Sequence, residues 1–194
     1  MYHGLLEDVN FWLFLLSIDK DLATRARGNG CPCGGRLRCA NYLRKPRGGP
    51  EHLSKECRYR LSFCCGRDGC RKRVTPPSTR FLGPKVYLAA VILLAAAKRQ
   101  GPSPRAMREL STLFGADRRT IARWQVLWCE HFPQTRFWKV ARGSFAPAIE
   151  VAALPRSILE AFLRTDDPRE DWKRLLCFLS PITIAGGLVV EVSR

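Results

Sequence analysis

The chain has 194 residues, and its 33 Lys and Arg against 17 Asp and Glu leave a formal charge of +16. That length allows one sizeable core or two small domains, and a folded chain with that charge points to a polyanionic partner. The apolar runs over residues 11–16 and 86–97 fall short of the roughly 20 residues that cross a bilayer, and a third run, 175–190, is broken by Pro181, Gly186 and Gly187, so a membrane-spanning reading is set aside.

The charge is uneven. Residues 1–24 are net −3, residues 25–80 net +12, residues 98–142 net +7 and residues 143–194 net −1. The basic residues of the middle interleave with cysteines, glycines and prolines rather than lining one amphipathic helix, which favours nucleic acid over a membrane surface. Met1-Tyr2-His3 leads to Glu7 and Asp8 with no basic leader. The expectation is therefore a cytoplasmic, nucleoid-associated protein whose nine cysteines stay reduced and whose clustered thiols bind metal.

In chain order, residues 5–27 predict a helix apolar nearly all round, with Phe11, Trp12, Leu13, Phe14 and Leu16 at its centre, buried against the rest of the chain or in a homodimer contact. Gly28-Asn29-Gly30 ends it. A cysteine block comes next: Cys31-Pro32-Cys33-Gly34-Gly35, then Cys39, Cys57 and the run Cys64-Cys65 to Cys70. A zinc ribbon holds one tetrahedral Zn²⁺ by two thiolates from each of two tight turns, with glycine after the second cysteine so that backbone amides reach the sulfurs. Cys31 and Cys33 make the first turn, with one intervening residue instead of the usual two. Cys65 and Cys70 make the second, with Cys64 the alternative to Cys65. Cys39 and Cys57 are reserve ligands or structural thiols, and Cys129 and Cys177 are packing residues. Residues 57–65 alternate as a strand entering the second turn, with Tyr59, Leu61 and Phe63 on one face.

Two basic segments flank these turns: Arg44, Lys45 and Arg47 in a proline- and glycine-rich loop, and Arg71, Lys72 and Arg73 leading into Pro76-Pro77-Ser78-Thr79-Arg80-Phe81. Both suit phosphate contacts, which position a protein without reading sequence. Residues 86–98 predict a buried helix that braces a helical hairpin over residues 103–128. That hairpin reads as a helix, a turn on Phe114-Gly115-Ala116, and a second helix capped by Asp117. Ile121, Trp124 and Trp128 line one face of the second helix; Arg118, Arg119, Ala122, Arg123 and Val126 lie opposite, so Arg118, Arg119, Thr120 and Arg123 are the candidate groove contacts. Phe137 and Trp138 pack against the preceding helices. Residues 156–163 form a further helix, and Asp167, Pro168 and Glu170 open the last one, with Trp172, Leu175, Leu176 and Leu179 facing a core or a partner.

The order of a four-cysteine ribbon, a Pro-Pro-Ser linker, a buried helix and a helix-turn-helix is similar to the N-terminal DNA-binding region of bacterial insertion-sequence transposases. The resemblance covers residues 31–130 and rests on Cys31 to Gly34, Phe63 to Arg71 and Phe114 to Ile121. It implies a mainly α fold with a small zinc-ribbon β element, divided into an N-terminal apolar helix (1–28), a zinc ribbon with basic loops (29–80), a three-helix helix-turn-helix domain (81–132) and a helical C-terminal region (133–194). It also implies one structural zinc ion and binding to double-stranded DNA at the terminal repeats of a mobile element, with a separately encoded transposase as a partner.

The family's catalytic domain, with its Asp-Asp-Glu triad, has no counterpart expected here. The 64 residues after Glu130 read as helices, and their acids, Glu150, Glu160, Asp166, Asp167, Glu170, Asp171 and Glu191, lie mostly at helix starts. His3, His52 and His131 are isolated. The expectation is a binding protein with no catalytic residues, either an accessory subunit or a truncated transposase. The alternatives are a transcription regulator of the same build and a metal-dependent nuclease or strand transferase.

Overall fold

Asp8 opens the first helix: its carboxylate accepts the Asn10 amide at 2.9 Å, and α1 then runs Val9–Gly28. A computed structural model describes residues 6–82 and 115–184, together with residues 89, 92, 93, 108, 111 and 112. Phe11, Trp12, Leu15, Leu16, Asp19 and Ala23 are the buried positions of α1, a stripe about two residues wide at helical spacing. Leu13, on the opposite side, is 40% exposed. Asn29 caps the C-terminus and Gly30 turns the chain out at φ +70°.

Among the described residues the strands are short: β1 Leu37–Cys39, β2 Tyr42–Leu43, β3 Tyr59–Arg60, β4 Phe63–Cys65 and β5 Arg73–Val74. β4 lies between β1 and β5 in an antiparallel sheet with Leu37 opposite Cys65 and Cys64 opposite Arg73, while β2 and β3 pair separately. The single strand predicted over 57–65 is thus two strands preceded by a 3₁₀ turn, Lys55–Arg58. The break falls at Ser62, whose amide is taken by the Asn41 side chain at 3.0 Å, and Arg60 rather than Tyr59 points inward. Arg60 donates to the Pro76 carbonyl at 2.5 Å, and burial draws its guanidinium below the usual arginine range.

The helical part is continuous with this small sheet. α2 (Arg118–Val126) continues as a π-helical turn, Leu127–His131, and a 3₁₀ turn, Phe132–Gln134, into α3 (Arg136–Ala141). Next in the chain are α4 (Arg156–Phe162) and α5 (Pro168–Leu179), and Asp167 caps α5 by accepting the Arg169 and Glu170 amides. Trp12, Leu53, Cys57, Phe81, Ile121, Trp128, Trp138, Ile158, Trp172 and Leu175 belong to one core. Phe11 meets Trp172 edge-on at 6.3 Å, so the apolar faces of α1 and α5 are covered within one chain. A separate, smaller core comprises Ala23, Cys31, Leu37, Phe63 and Cys65. The molecule is mainly helical with a small antiparallel sheet and a cysteine cluster.

The predicted helix over 86–98 and the first helix of the hairpin, 103–113, fall mostly outside the described residues; Ala89, Ile92 and Leu93 are buried in the main core. The Pro-Pro-Ser stretch departs from a solvated linker. Ser78, Thr79, Arg80 and Phe81 are all buried. Asp19 of α1 accepts the Ser78 hydroxyl, the Thr79 amide and hydroxyl, and Arg80 Nε at 2.5–2.9 Å. Arg80 spends its other donors on the Cys57 and Tyr59 carbonyls, and the Ser78 amide donates to Thr183 Oγ1 from the far end of the chain. The segment is inside because its polar groups have one another as partners, as burial demands.

Candidate metal centre

Four sulfurs from two turns converge. Cys31 comes directly after Gly30 off the end of α1, and the Gly34 amide closes the first turn on the Cys31 carbonyl at 2.8 Å. Pairing of Leu37 with Cys65 brings β4 alongside, and the β4–β5 hairpin returns Cys70 beside the first turn. Sγ–Sγ distances are 3.5 Å for Cys31 to Cys33, 3.5 Å for Cys33 to Cys65 and 3.7 Å for Cys31 to Cys70. All four sulfurs lie within 4.8 Å of one another. A tetrahedral ion with Zn–S bonds of about 2.3 Å has S···S edges of about 3.8 Å, whereas a disulfide would need about 2.05 Å. The spacing fits a shared cation and not a covalent bridge.

Backbone amides serve three of the sulfurs, each from two residues on. The Cys33 amide reaches Cys31, the Gly35 amide reaches Cys33, and the Arg67 amide reaches Cys65 at 3.5 Å. Gly35 is required sterically: a Cβ there would stand 2.5 Å from Cys65 Sγ and 2.8 Å from Arg67 Cβ. Arg67 also donates to the Cys33 carbonyl at 2.6 Å, locking one turn to the other. Neither contact is visible in the spacing of cysteines, although the amide two residues past a ligand is a general place to look.

These contacts split the thiols. The Gly35 amide, with donation from Cys70, Cys31 and Cys65, lowers Cys33 to about 6. At Cys65 the Arg67 amide favours the thiolate, but burial and the neighbouring thiols outweigh it and push the group up to about 12. Cys31 is also raised: the Cys33 amide favours its thiolate, but burial and the Cys33 and Cys70 thiols oppose it. Without a cation the cluster carries the Cys33 thiolate beside protonated Cys31 and Cys65. Binding a divalent ion at neutral pH should therefore release at least the Cys31 and Cys65 protons. Titration calorimetry in two buffers of different ionisation enthalpy reads that number; release of fewer than two contradicts this picture. Four thiolates suit a soft or borderline ion and leave no position for reactive water.

Cys64, the alternative ligand, turns to the other face of the sheet and lies 3.3 Å from the Arg71 carbonyl. Cys57 is buried against the Trp12 carbonyl, Cys129 lies against the Leu154 carbonyl, and Cys39 is exposed.

The basic residues singled out from sequence are at the surface in three places. Arg118, Arg119 and Arg123 are exposed on α2, while Ile121 and Trp124 are buried behind them. Asp117 accepts the Thr120 amide at 2.9 Å and hydroxyl at 2.8 Å, so Thr120 is spent on the cap, and Gly115 at φ +58° makes the preceding turn. The Thr120 contacts hold the Asp117 carboxyl below its usual range. Arg71 and Lys72 are exposed on the β4–β5 hairpin, and Lys45 and Arg47 on the loop after β2. Arg73 donates to the Ala40 carbonyl and Ser62 hydroxyl and lies over the Tyr42 ring, and Arg44 lies over Phe81, so these two also brace the fold. Comparison with protein-family models, curated proteins and solved structures gives no significant match to this chain. No described helix is long and apolar enough to cross a membrane.

Proposed function

We propose that this protein binds double-stranded DNA, with zinc as the ion of the four-thiol cluster, and recognises the ends of a mobile element as an accessory subunit of a separately encoded transposase or as a truncated transposase. The observation that carries the DNA reading is α2: a capped helix after a glycine turn, its Ile121 and Trp124 buried and its Arg118, Arg119 and Arg123 facing solvent. That arrangement suits a reading helix in a major groove. Arg71, Lys72, Lys45 and Arg47 add phosphate contacts. The mobile-element part of the reading comes from the order of ribbon and hairpin in the sequence.

The protein acts by binding rather than catalysis in this reading. Two of the C-terminal acids support it by having other work. Asp167 caps α5, and Asp171 is buried, taking the Thr165 amide and hydroxyl and the Arg174 guanidinium.

Selection of duplexes from a random library at about 150 mM salt tests the reading, with salt held there because phosphate contacts alone bind tightly at low ionic strength. An enriched motif is expected, and its presence in inverted repeats beside the gene supports the mobile-element role. Arg123→Ala should lose about tenfold or more at one base pair and relax preference there, since a bidentate arginine discriminates by that order. Lys72→Ala should weaken cognate and random duplex alike. Equal losses on both duplexes for both variants would sink the reading helix.

A further inference from the structure

The loop after β2 builds a cavity of which the proposed duplex contacts use only Lys45. It has a volume of about 480 Å³, in the range of small-ligand sites. Leu43, Pro50 and Leu53 supply apolar walls, and Arg44, Lys45 and Arg58 supply cations. Glu51 is the one acid in the lining. The walls are held in place: Leu43 pairs with Tyr59 across β2 and β3, the Arg44 amide bonds the Arg58 carbonyl at 2.8 Å, and the Leu53 amide bonds the Pro50 carbonyl at 3.2 Å. Leu43 is nevertheless 58% exposed and its cross-strand neighbour Tyr59 42% exposed.

A convex run of lysines and arginines would serve to grip phosphates on a duplex. This site is concave, and it sets apolar surface from leucines and prolines beside its cations. Its complement is a group with a flat apolar part attached to a negative charge. Stacked bases of a duplex do not offer their faces, but an unpaired nucleotide does. Exposed leucine beside arginine and lysine is also the composition that proteins use to part a base from its stack. From this, and resting on the DNA binding proposed above, we infer that the cavity takes an unpaired nucleotide at the end of a DNA strand: the base lies against Leu43 and Leu53, and its phosphate meets Lys45 and Arg58. A protein that attends element ends would then distinguish a frayed or cut end from intact duplex.

The test compares three labelled duplexes of one sequence at about 150 mM salt: blunt, with a three-nucleotide single-stranded overhang, and with the same overhang made abasic. The overhang should bind about fivefold or more tighter than the blunt end, the order that burying one base face against apolar side chains supplies, and the abasic overhang should lose that gain. Leu43→Asp should erase the preference while blunt-duplex affinity and metal content stay as in wild type; Arg58→Glu, at an exposed lining residue outside the proposed duplex contacts, does the same through the phosphate and leaves the apolar wall intact. A gain that persists with the abasic overhang belongs to the extra phosphates and overturns the inference. So does blunt binding with no overhang preference, which leaves the duplex reading standing. Base-dependent binding of the overhang alone keeps the cavity and overturns duplex recognition, and binding of neither removes both.

Discussion

Removing the metal, by chelation or by Cys65→Ala, should unfold the sheet and its two cysteine turns while the helical core stays folded. The small core has five buried residues, Ala23, Cys31, Leu37, Phe63 and Cys65, and two of them are cluster thiols. Its strands are two or three residues long. So little apolar surface does not hold a domain together without a staple. Structural zinc binds such sites with dissociation constants tighter than about 50 nM, and that affinity is folding free energy. The main core does not depend on it, because Leu53 and Cys57 join the helices rather than the sheet. All five tryptophans, Trp12, Trp124, Trp128, Trp138 and Trp172, are in that main core. Hydrogen exchange should therefore lose protection over 31–39 and 61–74 on chelation while tryptophan fluorescence holds. Parallel loss of both signals would mean one cooperative unit, and unchanged exchange would mean that the metal is not structural.

Asp19→Ala should cost about 3–5 kcal/mol, because it leaves the Arg80 charge buried without its partner. For a chain of this size that lowers the melting temperature by about 6–20 °C. Asp19 and Arg80 are 1% and 0% exposed and 2.9 Å apart. The loss extends beyond the pair, since the Ser78 hydroxyl and Thr79 amide are left with an acceptor missing. Asp19→Leu with Arg80→Met should recover part of the stability by removing both charges together. Single variants that unfold within about 1 kcal/mol of wild type would show that the network is not what joins the segments.

The two predictions divide along what sequence spacing reveals. Caps were legible because they are local: Asp117 three residues before Thr120, and Asp167 beside Arg169 and Glu170, need no tertiary knowledge. The cysteine set was legible for a similar reason, because thiols cluster in sequence when one ion must reach them all. The face of α2 came from its period. Asp19 was hidden inside a helix read as apolar, and Arg80 inside a segment read as basic and solvated, because their partnership spans 61 positions and has no motif. The strand alternation of residues 57–65 misled for a related reason. Arg60 occupies an inward position that alternation assigns to an apolar residue, and it goes there for a proline carbonyl sixteen residues away. Charge composition reports how many ions a segment has; it does not say which of them have left water.

The internal position of Ser78 to Phe81 bears on how this protein can change. Where two units are joined by a solvated tether, recombination can exchange one of them and leave the other intact. Here the join is itself a shared organ: Asp19 from the first helix, Cys57 from the 3₁₀ turn, Tyr59 from β3 and Thr183 from the C-terminal turn all close on it. A graft that carries only the cysteine turns would arrive without the aspartate that receives Arg80, and one that carries only the helices would lose the arginine's carbonyl partners. The viable seam therefore lies away from the boundary suggested by composition. Residues 9–82 are the block that keeps the Asp19, Cys57 and Tyr59 contacts to Arg80 together, and on the duplex reading proposed above new specificity would come from substituting the outward positions of α2 rather than from trading domains.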